Sequence, residues 1–171
     1  MPENLTLIIP PAEITSIVKR LAGELRAEYR GKNPVLVGVL KGAFVFLTDL
    51  VRELNMPFEV DFVQTSSYGK TGDAPSEKVL ITREITSVIR GRDAVIVEGI
   101  VDRGLTAGTV RRHIEGKGAS STRLCTLLKR EGRPEVRADY VGKVIGAGFV
   151  VGYGMDFGER YRELSGIYVI G

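Results

Sequence analysis

The run VLVGVL at residues 35–40 constrains the fold most strongly. It is too short for a helix, rich in valine and apolar on both faces, so it reads as a strand buried on both sides, as in a parallel sheet covered by helices. The neighbouring segments alternate to match. After Pro10 and Pro11, the residues Ile14, Ile17, Val18, Leu21 and Leu25 recur at spacings of three and four, predicting a helix that ends near Gly31. Residues 43–54 and 104–115 also carry helical spacing; 58–63, 79–82, 94–97 and 122–128 read as strands, and 141–145, 149–153 and 167–170 as short strand candidates. The stretch TSSYGKTGDAPSEK, 65–78, has small residues, two glycines and a proline but no apolar period, and reads as a long mobile loop. Strand and helix alternate, which predicts an α/β chain with a mostly parallel twisted sheet flanked by helices. With 171 residues and no repeat or linker, a single domain over 1–171 is expected.

Composition narrows the chemistry. One cysteine, Cys125, forms no internal bridge, and one histidine, His113, builds neither a multi-histidine metal site nor a pair of imidazole catalysts. Neither is assigned to a site. The net charge of +3 is a small surplus rather than a basic arm, so nucleic acid is not an expected partner. No apolar run approaches the roughly 20 residues a membrane helix needs, and the N-terminal MPENLTLIIPPAEI lacks a signal design. A cytoplasmic chain with no membrane partner is expected.

In a doubly wound sheet, ligands sit at the carboxyl ends of the strands. There, directly after the buried run AVIV, lies EGIVDRGLTAGT, residues 98–109: two carboxylates, then a glycine and a hydroxyl leading into a helix. A tight turn at a helix N-terminus points backbone N–H groups at an anion; Gly104 allows close approach and Thr106 adds a donor. Acid beside phosphate cradle suggests a phosphorylated sugar. The same spacing also fits an ordinary connection in which Asp102 caps the helix. The chain has no GxxxxGK[ST], no GxGxxG after its first strand and no GxSxG, which sets ATPase, dinucleotide enzyme and serine hydrolase aside.

VIVEGIVDRGLT resembles the phosphoribosyl-pyrophosphate (PRPP) motif of the type I phosphoribosyltransferases, which in the purine-salvage branch usually reads VEDIxDTGxT. VGVLKGAFVFLTDLVREL (37–54), VDFVQTSSYG (60–69) and FVVGYGMDFGERYREL (149–164) are similar to segments of the hypoxanthine-guanine members, in the same order and spacing. The likeness spans nearly the whole chain. It implies a main sheet with a small hood formed by the N-terminal segment and residues of about 140–171, a homodimer or homotetramer, and a Mg2+-dependent transfer of the ribosyl group of PRPP to an oxopurine base such as hypoxanthine or guanine, giving IMP or GMP.

The resemblance also assigns residues. Asp102 would accept the purine N7 proton and stabilise positive charge at the ribose C1. Glu98 would hold the ribose hydroxyls, and Asp102, Arg103, Gly104, Leu105 and Thr106 the 5′-phosphate. The diphosphate would lie on the Leu40, Lys41, Gly42 turn, where the family carries a non-proline cis peptide, with Arg133 and Arg162 nearby as planar donors. At the purine end, Lys129 would donate to the 6-oxo group, Phe149 would stack, the Val150 backbone would bond the base edge and Asp156 would help bind magnesium, with Glu98 the other metal candidate. Ser66, Ser67, Tyr68 and Gly69 would form the tip of a lid that excludes water. Without the resemblance, Phe149 reads as core and Arg162 as a solvated helix residue.

Two departures fall inside the motif. Gly99 stands where the family has its second acid, which reads as chemistry lost rather than as a backbone requirement; Arg103 stands where the family has threonine or serine, and can aid the phosphate, fill the space beside Gly99 or block the pocket. In GKVIGAGF (142–149), Lys143, Gly146, Ala147 and Gly148 replace the family's usual residues before the stacking position, which leaves the choice among hypoxanthine, guanine and xanthine open. Two rival readings follow: a PRPP- or nucleotide-binding regulatory protein on this fold, and a phosphoribosyltransferase for another base.

Overall fold

The structure is a computed structural model that describes residues 4–68, 78–132 and 136–171. In chain order the elements are β1 (Leu5–Ile9), α1 (Pro11–Glu28), β2 (Val35–Leu40), α2 (Phe44–Leu54), β3 (Glu59–Tyr68), β4 (Lys78–Arg83), β5 (Asp93–Val101), α3 (Leu105–Gly116), β6 (Ser121–Arg130), β7 (Tyr140–Ile145), β8 (Phe149–Val151) and β9 (Ile167–Ile170). Six strands form the main sheet in the order β4-β3-β2-β5-β6-β7, parallel except for the β3–β4 pair.

The doubly apolar run explains the layering. In β2, Leu36 joins the core on one face, while Val35, Val37 and Val39 join the core on the other. Helices α1 and α2 cover the first face, and α3 the second. Pro11 opens α1 at a position where its missing N–H costs nothing, and Ile14, Ile17, Val18, Leu21, Ala22 and Leu25 bury its inner stripe. Each large apolar side chain buried there contributes about 1.5–3 kcal/mol, so Leu21→Ala alone removes about 2–5 kcal/mol.

From β2 the chain winds outward to β3, and from β5 it winds the other way through β6 to β7, so the topology reverses between β2 and β5. The carboxyl ends of these two neighbouring strands carry the Lys41 turn and the Glu98–Asp102 segment, where an open α/β sheet opens its crevice.

Three expectations change. Residues 65–68, read as loop, continue β3 and pair with β4, Ser66 opposite Leu80 and Tyr68 opposite Lys78. Ser66, Ser67 and Tyr68 thus stand on a strand arm; Gly69 and the rest of the expected loop to residue 77 lie outside the described residues. The N-terminal Leu5–Ile9, assigned to no element from sequence, is the edge of a second sheet of order β1-β9-β8. That sheet is the hood, and it is smaller than expected: β7, placed in it from sequence, pairs in parallel with β6 in the main sheet. Ile9, Val150 and Ile167 seat the hood on the α1–α2 core.

Candidate functional site

The carboxyl end of β5 supplies the acids. Glu98 is 9% exposed, and its Oε2 is buried with no hydrogen-bond partner among the described residues. Burial pushes its pKa up to about 8, against a smaller lowering by the Gly99 N–H, so the ligand-free side chain is largely a neutral acid at pH 7. Glu98 lines a cavity of about 310 Å3 together with Asp102, Arg103, Gly104, Leu105 and Thr106. The segment expected to cradle phosphate therefore closes one wall of a pocket whose other wall carries an unsatisfied carboxyl.

Helix α3 starts at Leu105, and its N-cap is Gly104 at φ +85°, with no side-chain cap. A left-handed N-cap favours glycine, and a Cβ there would also meet the Val136 side chain at 3.1 Å. Asp102 is thus not the N-cap residue. The first-turn N–H groups of α3, which have no intrahelical acceptor, face the end of the loop. Asp102 is half exposed and also lines a second cavity of about 470 Å3 with Arg130, Glu131, Gly146, Ala147, Gly148 and Phe149. Arg130 Nε lies 3.8 Å from Asp102 Oδ1, and its Nη1 donates to the Gly146 carbonyl. Arg130 was missed from sequence; its only signal is its place beside Lys129 at the end of β6.

The hood closes this second cavity. Phe149 is 53% exposed, so it is not core, and its ring meets Phe157 edge-on with centroids 5.4 Å apart. Val150 is buried on β8, an outer strand of the hood sheet whose second edge carries no strand partner among the described residues. Lys129 pairs across the main sheet with Val101, the residue before Asp102, and with Val144. These pairings bring the Lys129 backbone to the same end of the sheet as Asp102.

At the end of β2 the Leu40–Lys41 peptide is cis. The turn that follows is pressed onto β5: a Cβ on Gly99 would lie 2.9 Å from the Gly42 carbonyl oxygen and 3.3 Å from its carbon. A Cβ on Gly154 would come equally close to that oxygen, at 2.9 Å. The carbonyl is nested between two glycines, and Gly99, read from sequence as a lost carboxylate, proves to be a backbone requirement as well.

Arg162, read without the resemblance as a solvated helix residue, is 18% exposed and lies in a turn. Its Nη1 donates to the Gly154 carbonyl at 2.8 Å, and its Nη2 lies 2.8 Å from Asp156 Oδ1 and 3.3 Å from Glu159 Oε1. Asp156 Oδ2 accepts from the Glu159 N–H at 2.9 Å. Lys41 Nζ donates to both Glu159 oxygens at 3.1 Å. Glu159, invisible as a site residue in the sequence, links the β2 turn to the Arg162 turn. Arg133 lies outside the described residues.

The two metal candidates differ: Glu98 Oε2 is buried with no hydrogen-bond partner among the described residues, whereas Asp156 Oδ1 lies 2.8 Å from Arg162 Nη2 and its Oδ2 accepts from the Glu159 N–H. Among the described residues no three His, Cys, Asp or Glu side chains gather as a metal cage. Among them, too, no helix is long and apolar enough to cross a membrane.

Known proteins share this arrangement. Residues 11–158 match the phosphoribosyl transferase domain family. The hypoxanthine phosphoribosyltransferase of Salmonella typhimurium is 40% identical over 168 residues, covering 96% of this chain and 94% of that protein. The hypoxanthine-guanine phosphoribosyltransferase of Streptococcus pneumoniae is 41% identical, with 96% and 92% covered. The bifunctional TilS/HprT protein of Listeria monocytogenes is 42% identical over 166 residues, of whose length this chain spans only 26%. The crystal structure of a hypoxanthine-guanine phosphoribosyltransferase from Bacillus anthracis superposes with a TM-score of 0.91 at 34% identity, over 97% of this chain and 98% of that one. Strand order, the paired cavities that meet at Asp102 beyond the carboxyl end of β5 and these matches lead to one conclusion: the chain belongs to the phosphoribosyltransferase family.

Proposed function

We propose that this chain joins an oxopurine base, hypoxanthine or guanine, to PRPP, forming IMP or GMP and releasing pyrophosphate. One observation carries the reading: Asp102 lies between a phosphate-type cavity at the start of α3 and a second cavity bearing an exposed phenylalanine. A sugar phosphate in the first and a flat base in the second would meet at that carboxylate. The base nitrogen attacks the ribose C1 while the C1–pyrophosphate bond breaks, and Asp102 takes the proton the base must lose. General-base assistance of this kind contributes about 10²–10⁴-fold. The α3 N-terminus and Thr106 hold the 5′-phosphate, Glu98 meets the ribose hydroxyls, and Lys41 and Arg162 face the diphosphate. Phe149 stacks on the base, the free edge of β8 at Val150 offers backbone groups to it, and Lys129 donates to the 6-oxo oxygen. Ser66, Ser67 and Tyr68, on the β3 arm, would close over the site.

Asp156, whose Oδ1 pairs with Arg162 and whose Oδ2 accepts from the Glu159 N–H, would be the residue to hold Mg2+, which when bound would supply charge neutralisation for the leaving pyrophosphate. The homo-oligomeric state and cytoplasmic location stay with this proposal.

The test incubates the chain with PRPP, Mg2+ and, separately, hypoxanthine, guanine, xanthine, adenine and uracil, following nucleotide formation. Product is expected with hypoxanthine or guanine, and Asp102→Asn is expected to lower kcat about 10²–10⁴-fold. No product with any base overturns the enzyme reading. The buried, uncharged Glu98 beside Gly99 favours the regulatory alternative, for which PRPP binds and no base is consumed.

A further inference from the structure

Two of the cations expected to face the diphosphate, Lys41 and Arg162, share one carboxylate, and Arg162 Nη2 is held by Asp156 Oδ1 at 2.8 Å as well. Glu159 accepts from Lys41 Nζ through both oxygens at 3.1 Å, and its Oε1 lies 3.3 Å from Arg162 Nη2. Lys41 and Glu159 are far apart in the sequence, on the β2 turn and on the turn after β8, so this contact is made by the tertiary fold. The carboxylate is presented from a fixed backbone. Glu159 is in the left-handed region at φ +64°, and its N–H donates to Asp156 Oδ2. A carboxylate spanning an ammonium and a guanidinium reproduces, in charge and in acceptor geometry, one end of a diphosphate. Lys41 and Arg162 hold its carboxyl below the ordinary carboxylate range, as expected of a group kept ionised by two cations.

We propose that Glu159 is an internal competitor for the pyrophosphate subsite, a positioning residue that occupies Lys41 and Arg162 when the subsite is empty and yields them when diphosphate enters. The inference rests on the assignment of Lys41 and Arg162 to the diphosphate made above. Its consequence is kinetic: diphosphate binds more weakly than the two cations alone would allow, and pyrophosphate leaves faster after the transfer. A different role predicts the opposite sign. If Glu159 merely oriented the lysine and arginine for diphosphate, its loss would weaken binding.

The experiment measures the affinity of inorganic pyrophosphate with Mg2+ by calorimetry for the wild-type chain, Glu159→Gln, Lys41→Gln and the double variant. Glutamine keeps the size of the side chain and removes its charge. Each exposed ion pair is modest, so Glu159→Gln is expected to tighten pyrophosphate about three- to tenfold. In turnover it lowers KM for PRPP without raising kcat, and strengthens product inhibition by pyrophosphate to match. In the Lys41→Gln background most of the gain disappears, because the lysine being released is gone. Glu163→Gln makes the same charge change on an exposed neighbour and is expected to shift affinity less than about twofold. Unchanged or weaker pyrophosphate binding in Glu159→Gln, or an equal gain in Glu163→Gln, overturns the proposal while leaving the subsite assignment standing. If neither wild type nor Glu159→Gln binds pyrophosphate, the subsite assignment fails, and the competitor with it.

Discussion

Gly99 allows the sharpest test of how the site is built. Replacing it by alanine adds one carbon, placed 2.9 Å from the Gly42 carbonyl oxygen, 3.3 Å from its carbon and 3.7 Å from the Ala43 nitrogen. Cβ atoms do not approach backbone oxygen so closely, and backbone cannot swing aside like the end of a flexible side chain. The 40–42 turn must therefore rise from β5 by a few tenths of an ångström. On the other side of the same oxygen stands Gly154, which leaves room for the shift only if its own loop follows. Overpacking of this sort costs about 1–3 kcal/mol, while removing a glycine from a strand interior returns about 0.5–1 kcal/mol. Gly99→Ala is thus expected to lose about 1 kcal/mol by urea denaturation. It should also bind pyrophosphate several-fold more weakly, since a displacement of about 1 Å in a site can cost about 100-fold. Gly23→Ala is the control of opposite sign: Gly23 lies within α1 with nothing inside 4 Å of its missing Cβ, so alanine is expected to stabilise by about 0.5–1 kcal/mol. Gly99→Asp carries the same displacement as Gly99→Ala, so the difference between the two isolates what a carboxylate at this position adds. A Gly99→Ala chain as stable as wild type, with unchanged pyrophosphate affinity, refutes the close-packing argument.

Two further outcomes follow from the geometry. The buried Asp61 carboxylate accepts from the backbone N–H groups of Phe62, Thr86 and Ser87, each at 2.7 Å. Burial alone would raise its pKa, but bonds from Ser87, Phe62 and Thr86 outweigh burial and hold it below the ordinary value. As pH falls the unfolded chain takes up this proton first, so the stabilisation is complete above the ordinary carboxylate range and is lost as pH drops through the folded pKa. Asp61→Asn is expected to cost about 1–3 kcal/mol at pH 7 by denaturant titration, with the gap to wild type narrowing in acid; a gap constant with pH refutes this. Phe149 is half exposed, so Phe149→Ala should leave stability nearly unchanged while raising KM for the base; loss of stability instead would make the ring a packing element of the hood.

What could be read from the chain, and what could not, divides by the range of the interactions. VLVGVL announced its place at the sheet centre because both faces of β2 are buried, and a strand without a polar face needs no partner to be recognised. The grouping of Glu98, Asp102, Gly104 and Thr106 around one cavity was legible for a similar reason: they belong to one strand-turn-helix, and local geometry brings them together. Residues 65–68 misled because T-S-S-Y has no apolar alternation; β3 continues there through its backbone pairing with β4. Leu5–Ile9 escaped because only Ile9 is fully buried and its register is set by β9, at the far end of the chain. Arg162 read as a solvated helix residue and Glu159 drew no reading at all; the chain there is instead a series of turns in which Glu159 meets both Arg162 and the distant Lys41. Gly99 shows the limit most clearly. A glycine where the resemblance leads one to expect an acid can mean a side chain lost or a backbone brought close, and the choice depends on a carbonyl contributed by another strand's end. Without Gly42 in view the first meaning is the natural one; with its oxygen 2.9 Å from the absent Cβ, a glycine at 99 is also what lets the 40–42 turn sit against β5.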